Sequence, residues 1–225
     1  MRTALTRERV LARAVERADA EGVDALSMRT LAAELGVTPM ALYKHVANKD
    51  DLLDAMIDDV VATFAAAPHP GPADDDWRAR VRARVLAARA ALLDHPWAPQ
   101  VIESRTTASP VVLDHMNALM GDLLGGGLTA DLTHHAMHVL GSRMWGFTQE
   151  VFPTPRVPDD PGERDAFLAA AGERYPHIMT ISAAASHDSV TAIGCDDQAE
   201  FELALDLLVD GIERLHASGW SSTAA

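Results

Sequence analysis

Cysteine is almost absent: Cys195 is the only one in 225 residues. One thiol cannot close a disulfide within the chain or supply a cysteine-based zinc site, so nothing calls for an oxidising compartment. Positive charge is the minority, with 19 Lys and Arg against 33 Asp and Glu and a formal net charge of -14. That balance argues against a surface that coats nucleic acid or an anionic membrane as a whole, while leaving room for a local basic patch. No uncharged apolar run reaches the ~18 residues of a membrane span. Arg7, Glu8, Arg9 and Arg13 interrupt the stretch that a signal peptide would need to be apolar. A soluble, cytoplasmic protein is expected, with no membrane partner. Aromatic residues make up only 5%, but the hydrophobic share is 48% and the charged share 23%, enough for one large domain or two modest ones. Alternating strand patterns of useful length, internal repeats and low-complexity tracts are also missing, which leaves an all-α chain.

The charge that is present is unevenly placed. Residues 1–50 hold eight basic and seven acidic side chains, whereas residues 51–225 hold 11 and 26. Such asymmetry points to two jobs: a module at 1–50 and an acidic helical domain at 51–225.

Helix signals are dense in the first module. Thr6 can cap a helix with Val10, Leu11, Ala14, Val15 and Ala18 on one face, ending at Gly22. Ser27 can cap a second with Leu31, Ala32 and Leu35 inward, and Gly36 is suited to the left-handed position that closes it. Thr38 followed by Pro39 restarts a helix, with Thr38 expected to cap it. Asn48 can cap a fourth, with Asp50 and Asp51 favouring its dipole and Leu52, Leu53, Met56, Ile57, Val60, Val61 and Phe64 in one stripe. Beyond a loop at 67–76, helices are expected at 77–95, 110–124, 130–150, 163–171 and 198–217, with loops at 152–162 and 186–197. The first of these carries Arg78, Arg80, Arg82, Arg84 and Arg89. Arginines two apart scatter around a helix, which makes them solvated or salt-bridged rather than a nucleic-acid stripe.

Helix, glycine turn and helix at 27–46 have the proportions of a helix-turn-helix, in which the second helix enters the major groove. The run from Leu31 to Leu53 goes further. Gly36-Val37, Leu42-Tyr43, His45, Asn48-Lys49 and Leu52-Leu53 together resemble the DNA-binding signature of the TetR family of one-component bacterial repressors. The resemblance covers roughly the first 65 residues and beyond them is one of layout. It implies phosphate contacts at Tyr43, His45 and Lys49. In the first turn of the recognition helix, Thr38, Pro39, Met40 and Ala41 are the groups expected to meet base edges, with Met40 and Ala41 suited to thymine methyls. Lys44 adds a phosphate donor, and Arg29 and Thr30, early in the second helix, are further candidates. Packing is a competing role for Tyr43.

Too few phosphate contacts come from one such module, so a homodimer on a palindromic operator is expected, with half-sites about 34 Å apart or a multiple of that. On the last helix Phe201, Leu205, Leu208, Ile212 and Leu215 form a stripe, widened by Leu203, Leu207 and Gly211. The resemblance implies that this helix and the one near 130–150 pair with their dimer mates as a four-helix bundle, and the small or adaptable Met137, Gly141, Met144 and Thr148 are candidates for that interface. His138, Ser142, Trp145 and Gln149 recur on the other face, where apolar bulk with polar handles suits a small-molecule pocket. Trp97, Arg105, Met116 and Met120 are further candidates to line it. Tetracycline repressors hold drug-bound magnesium through a pocket histidine, but the comparable stretch Gln100–Arg105 has none, so tetracycline itself is not implied. No cofactor is expected.

The resulting reading is a ligand-responsive transcriptional regulator, a repressor released from double-stranded DNA by an effector. Two alternatives stand beside it. His134, His135 and His138 invite a metal enzyme or metal sensor, since His134 and His138 at i, i+4 can share one ion, although no third ligand can be assigned. A purely structural helical protein explains the bundle but not the Tyr43, His45 and Lys49 string.

Overall fold

The computed structural model describes residues 4–67, 76–146, 157–185 and 197–223, with backbone alone at 142–146 and 182–185. Every regular element among them is helical. The chain forms two compact units, Met1–Thr148 with Leu208–Ala225, and Gln149–Leu207.

The larger unit starts with α1 (Arg7–Glu21), one 3-10 turn at Val23–Ala25, α2 (Met28–Glu34), α3 (Pro39–Leu42) and α4 (Lys49–Ala65). Local capping explains most of these boundaries. Thr6, Ser27 and Asn48 each accept a backbone N–H from three residues on, at 3.3, 3.1 and 2.8 Å. Ser27 and Thr30 also bond reciprocally, Thr30 Oγ1 accepting the Ser27 N–H. Gly36, at φ +66°, lets Val37 N–H reach Ala32 O at 3.0 Å while its own N–H reaches Ala33 O at 3.1 Å, the double closure of a Schellman end. Thr38 departs from expectation. Its side chain makes no cap bond, and its carbonyl accepts Ala41 N–H instead, so the hydroxyl stays exposed. Leu31 and Ala32 are buried as expected, Leu35 only half so, and Leu42 and Val46 are buried with them.

α4 continues into the bundle formed by α5 (Trp77–Asp94), α6 (Ala98–Ser104), α7 (Pro110–Gly125) and α8 (Ala130–Gly146), with residues 208–217 of α11 (Asp197–Ala217) completing the unit. It packs on α1 at one end and on α5, α6 and α7 beyond. All seven residues of its predicted stripe are buried. Arg80, Arg84 and Arg89 are buried too, with the Nε of Arg80 and of Arg84 both on the Asp122 carboxylate at 3.2 and 2.7 Å. Salt-bridged is therefore the outcome for this pair, four residues apart on one helix face. At the α7–α8 turn, a side chain on Gly126 would stand 2.4 Å from Trp77, so only glycine allows this approach.

Two helices lack any prediction: α6 and α10 (Pro176–Ala185). In the smaller unit α10 packs on α9 (Pro161–Arg174), which is capped by Asp160, and residues 197–207 of α11 complete it. The predicted loops at 67–76 and 186–197 fall largely outside the described residues, and of the one at 152–162 residues 157–160 are irregular as expected, while Pro161 and Gly162 already belong to α9, which starts at the Asp160 cap rather than at 163. No described helix is long and apolar enough to cross a membrane.

Candidate nucleic-acid interface and effector cavity

Three internal anchors hold the α2–α3 face. Arg13 Nε and Arg17 Nη1 both bond the Glu34 carboxylate, tying α1 to α2. Desolvation opposes ionisation of Glu34, but these hydrogen bonds hold its carboxyl below the ordinary value. Arg7 Nη1 donates to His45 O at 2.5 Å and Arg7 approaches Asp51 at 3.7 Å. Asp51 in turn accepts the Ala47 N–H at 2.7 Å, which fixes the turn between α3 and α4.

With those arginines committed, Arg29, Lys44 and Lys49 are exposed and have no ion-pair partner among the described residues. Thr38 and Pro39 are exposed beside them, Met40 at 72% and Tyr43 at 44%, while Ala41 and His45 are half-buried. Exposed apolar bulk next to free cations, on a short helix held from behind, matches a surface that meets base methyls and phosphates. Thr30 differs from the rest: its hydroxyl is occupied by Ser27.

Further along, α4, α6, α7 and α8 enclose a cavity of about 310 Å³. Its walls are Ile57 and Val61 of α4, Ile102 of α6, Val112, His115, Met116, Leu119 and Met120 of α7, and His134, Met137, His138 and Gly141 of α8. Met116, Met120 and His138, three of the pocket candidates, are among these walls. Met137 and Gly141, expected at a dimer interface, line it as well. Ser142, Met144, Trp145, Thr148 and Gln149 have side chains outside the described residues.

Trp97 and Arg105 are placed elsewhere. The Trp97 indole N–H donates to Asp19 at 2.6 Å, and His95 Nδ1 lies 2.9 Å from the same oxygen, which links the α5–α6 junction to α1. Arg105 Nη1 donates to Asp54 at 3.0 Å and Nη2 reaches Asp50 at 3.5 Å. It lies in an open cleft of about 310 Å³ between α4 and the α6–α7 loop, where Ser109 also bonds Asp58. Ile57, Ile102 and Val112 line both spaces.

His115 escaped the sequence reading. It is only 5% exposed, its ring stands edge-on to Phe64 at 4.8 Å, and neither ring nitrogen has a hydrogen-bond partner among the described residues. Burial, aided by the Arg84 charge, pushes its imidazole down to about 4, so it is neutral at pH 7. The readable signal was its i, i+4, i+8 stripe with Leu119 and Leu123.

The histidine cluster on α8 is differently engaged. His134 and His138 meet edge-to-face at 4.7 Å, and His135 pairs with Asp131 at 3.7 Å and with the Trp220 ring at 5.4 Å. Among the described residues no three His, Cys, Asp or Glu side chains could hold a metal ion.

Two family models match the chain: "Bacterial regulatory proteins, tetR family" at residues 10–56 and "Tetracyclin repressor-like, C-terminal domain" at 69–216. The chain belongs to the TetR family. The HTH-type transcriptional repressor DrrR1 of Streptomyces coeruleorubidus is 32% identical, over 95% of this chain and 79% of that protein. The class C tetracycline repressor of Escherichia coli is 26% identical, over 94% and 92%. Among solved structures, the TetR family protein ActR of Streptomyces coelicolor, in complex with (S)-DNPA, superposes with a TM-score of 0.68. It is 26% identical, over 95% of this chain and all of that one. A TetR-family chain is a DNA-binding transcriptional regulator rather than an enzyme, and members of the family bind operators and small-molecule effectors and work as dimers.

The predicted dimer stripe divides on α11. Phe201, Leu205 and Ile212 are buried within the single chain. Leu208 is half-buried. The exposed row is Leu203, Leu207 and Leu215, with Gly211 between, spaced four residues apart along one face.

Proposed function

We propose that this TetR-family protein is a homodimeric cytoplasmic repressor, released from a palindromic operator when a small molecule enters the α4–α8 cavity. Residues 1–50 act on DNA through Arg29, Thr38, Pro39, Met40, Ala41, Tyr43, Lys44, His45 and Lys49, and residues 51–225 receive the effector and dimerise. The observation that carries the reading is that Ile57 and Val61 are cavity wall on the helix that begins at Lys49. A ligand pressing on them moves α4, hence α1 and the spacing of the two recognition helices. A coupling of about 1–3 kcal/mol gives a ~5–150-fold loss of operator affinity. The structures of the similar protein ActR in complex with (S)-DNPA and with actinorhodin support a ligand-receiving domain of this kind. The row Leu203, Leu207, Gly211 and Leu215 is the dimer contact on α11.

Selection of bound DNA from random duplexes by the full-length protein, at one stated salt concentration, tests this. A palindrome should emerge, and Leu207→Glu, which places a charge in the contact, should yield a monomer that recovers none. Sequence-blind binding by the unsubstituted protein would sink the repressor reading, and a Leu207→Glu dimer would sink the α11 contact.

A further inference from the structure

The chemistry of the effector can be read from the cavity, an inference that rests on the regulatory reading above. No Lys, Arg, Asp or Glu is among its lining residues, so an ionised group on the ligand would be buried without compensation. Three thioethers, Met116, Met120 and Met137, line it, adaptable groups that favour aromatic faces. Against this apolar lining stands one buried group with nothing to bond: the imidazole of His115, on the α7 wall, with both ring nitrogens unpartnered among the described residues. His134 and His138, by contrast, are exposed and already face one another. Burying an unpaired polar group costs stability, whereas an apolar residue would pack here at no such cost. A neutral imidazole offers one donor and one acceptor, and a hydroxyl can meet either.

We propose that the cavity receives an uncharged, largely apolar aromatic molecule bearing a hydroxyl, and that His115 selects it by hydrogen-bonding that hydroxyl. At about 310 Å³ the space lies at the small end of ligand pockets, which fits one or two fused rings.

The test uses a shape-matched pair, 2-naphthol and 2-methylnaphthalene, in equilibrium dialysis against the full-length protein at pH 7. The unsubstituted protein should prefer 2-naphthol, and His115→Leu should prefer 2-methylnaphthalene, the affinity ratio moving by about tenfold or more. His115→Gln, which keeps a donor and an acceptor, should retain part of the preference. Equal affinities in the unsubstituted protein, a preference that survives His115→Leu, or binding of neither probe would each overturn the proposal. Should His115→Leu fail to fold, the unsubstituted pair and His115→Gln still decide. Recovery of a palindrome in the DNA selection is independent of these outcomes, so a wrong ligand class and a wrong regulatory reading are told apart.

Discussion

The two ends of α4 solve opposite problems. Around α2 and α3 the donors and acceptors behind the exposed face are matched: Arg13 and Arg17 on Glu34, Arg7 on His45 O, Asp51 on Ala47 N–H. What is left open there, Met40, Tyr43, Lys44 and Lys49, is exposed. At the other end the open group, His115, is buried in a cavity wall. A surface that waits for DNA can leave charges hydrated at little cost, whereas a cavity that waits for a small molecule holds its unpaired group at the expense of stability. The first end is therefore a rigid platform and the second a strained receptor.

That contrast predicts different consequences for substitution. The largest effect belongs to the platform: replacing Tyr43 and Lys49 together by Ala takes away the two phosphate contacts proposed for each subunit, for an expected loss of operator affinity on the order of 100-fold. The salt slope should fall by about 2, about 1 for each Lys49 of the dimer, and naphthol binding should not change. Fluorescence anisotropy on the selected operator measures both. An unaltered affinity with the helices intact would remove these residues from the interface.

The receptor end should show its strain in acid. The His115 imidazole is held down to about 4 from 6.5, chiefly by burial and then by Arg84, so between those values the unfolded chain binds a proton that the folded one refuses. Stability through this group is whole above pH 6.5 and falls as the pH drops, reaching about 3 kcal/mol lost near pH 4. Urea unfolding at pH 7 and pH 4.5 should show this loss shrinking in His115→Leu, which should also be the more stable protein at pH 7 by about 1 kcal/mol. Identical acid sensitivity in the two would mean that His115 is protonated in the folded state at little cost.

Why one end was readable and the other not follows from the range of the interactions. Thr6, Ser27 and Asn48 act three residues ahead, and Gly36 closes α2 within six, so four helices and their turn stand in the sequence itself. Helix α6 begins after Trp97, which makes no side-chain cap bond, and with Pro99 in its first turn as its start signal but only seven residues to follow the pattern it went unpredicted. Only Tyr175 separates α10 from α9, and the one local mark of the break is Pro176, which ends the first helix and opens the second. Arg80 and Arg84 reach an acid 38 or more residues away; helical spacing aligns the pair but cannot name Asp122. His115 could be read as buried from Leu119 and Leu123, but a cavity assembled from four helices has no local signature. The same limit applies to α11, where periodicity finds two apolar rows and only the packed chain shows that Phe201, Leu205 and Ile212 are covered while Leu203 and Leu207 are not.

The smallest effect on stability should come from the link between the two ends. Arg105 joins the α6–α7 loop to Asp54 and Asp50 of α4, but both carboxylates are largely exposed, so Arg105→Gln should cost no more than about 1 kcal/mol. Its consequence for signalling is larger in kind. Ile102 and Val112, which line the effector cavity, also line the cleft that holds Arg105, so a ligand that pushes the α6 side outward pulls on α4 through this pair. If the pair transmits the push, Arg105→Gln binds operator and 2-naphthol as the unsubstituted protein does, but 2-naphthol releases less DNA from it. If release is unchanged, the apolar contacts of Ile57 and Val61 carry the coupling alone, and the two ends of α4 communicate through packing rather than charge.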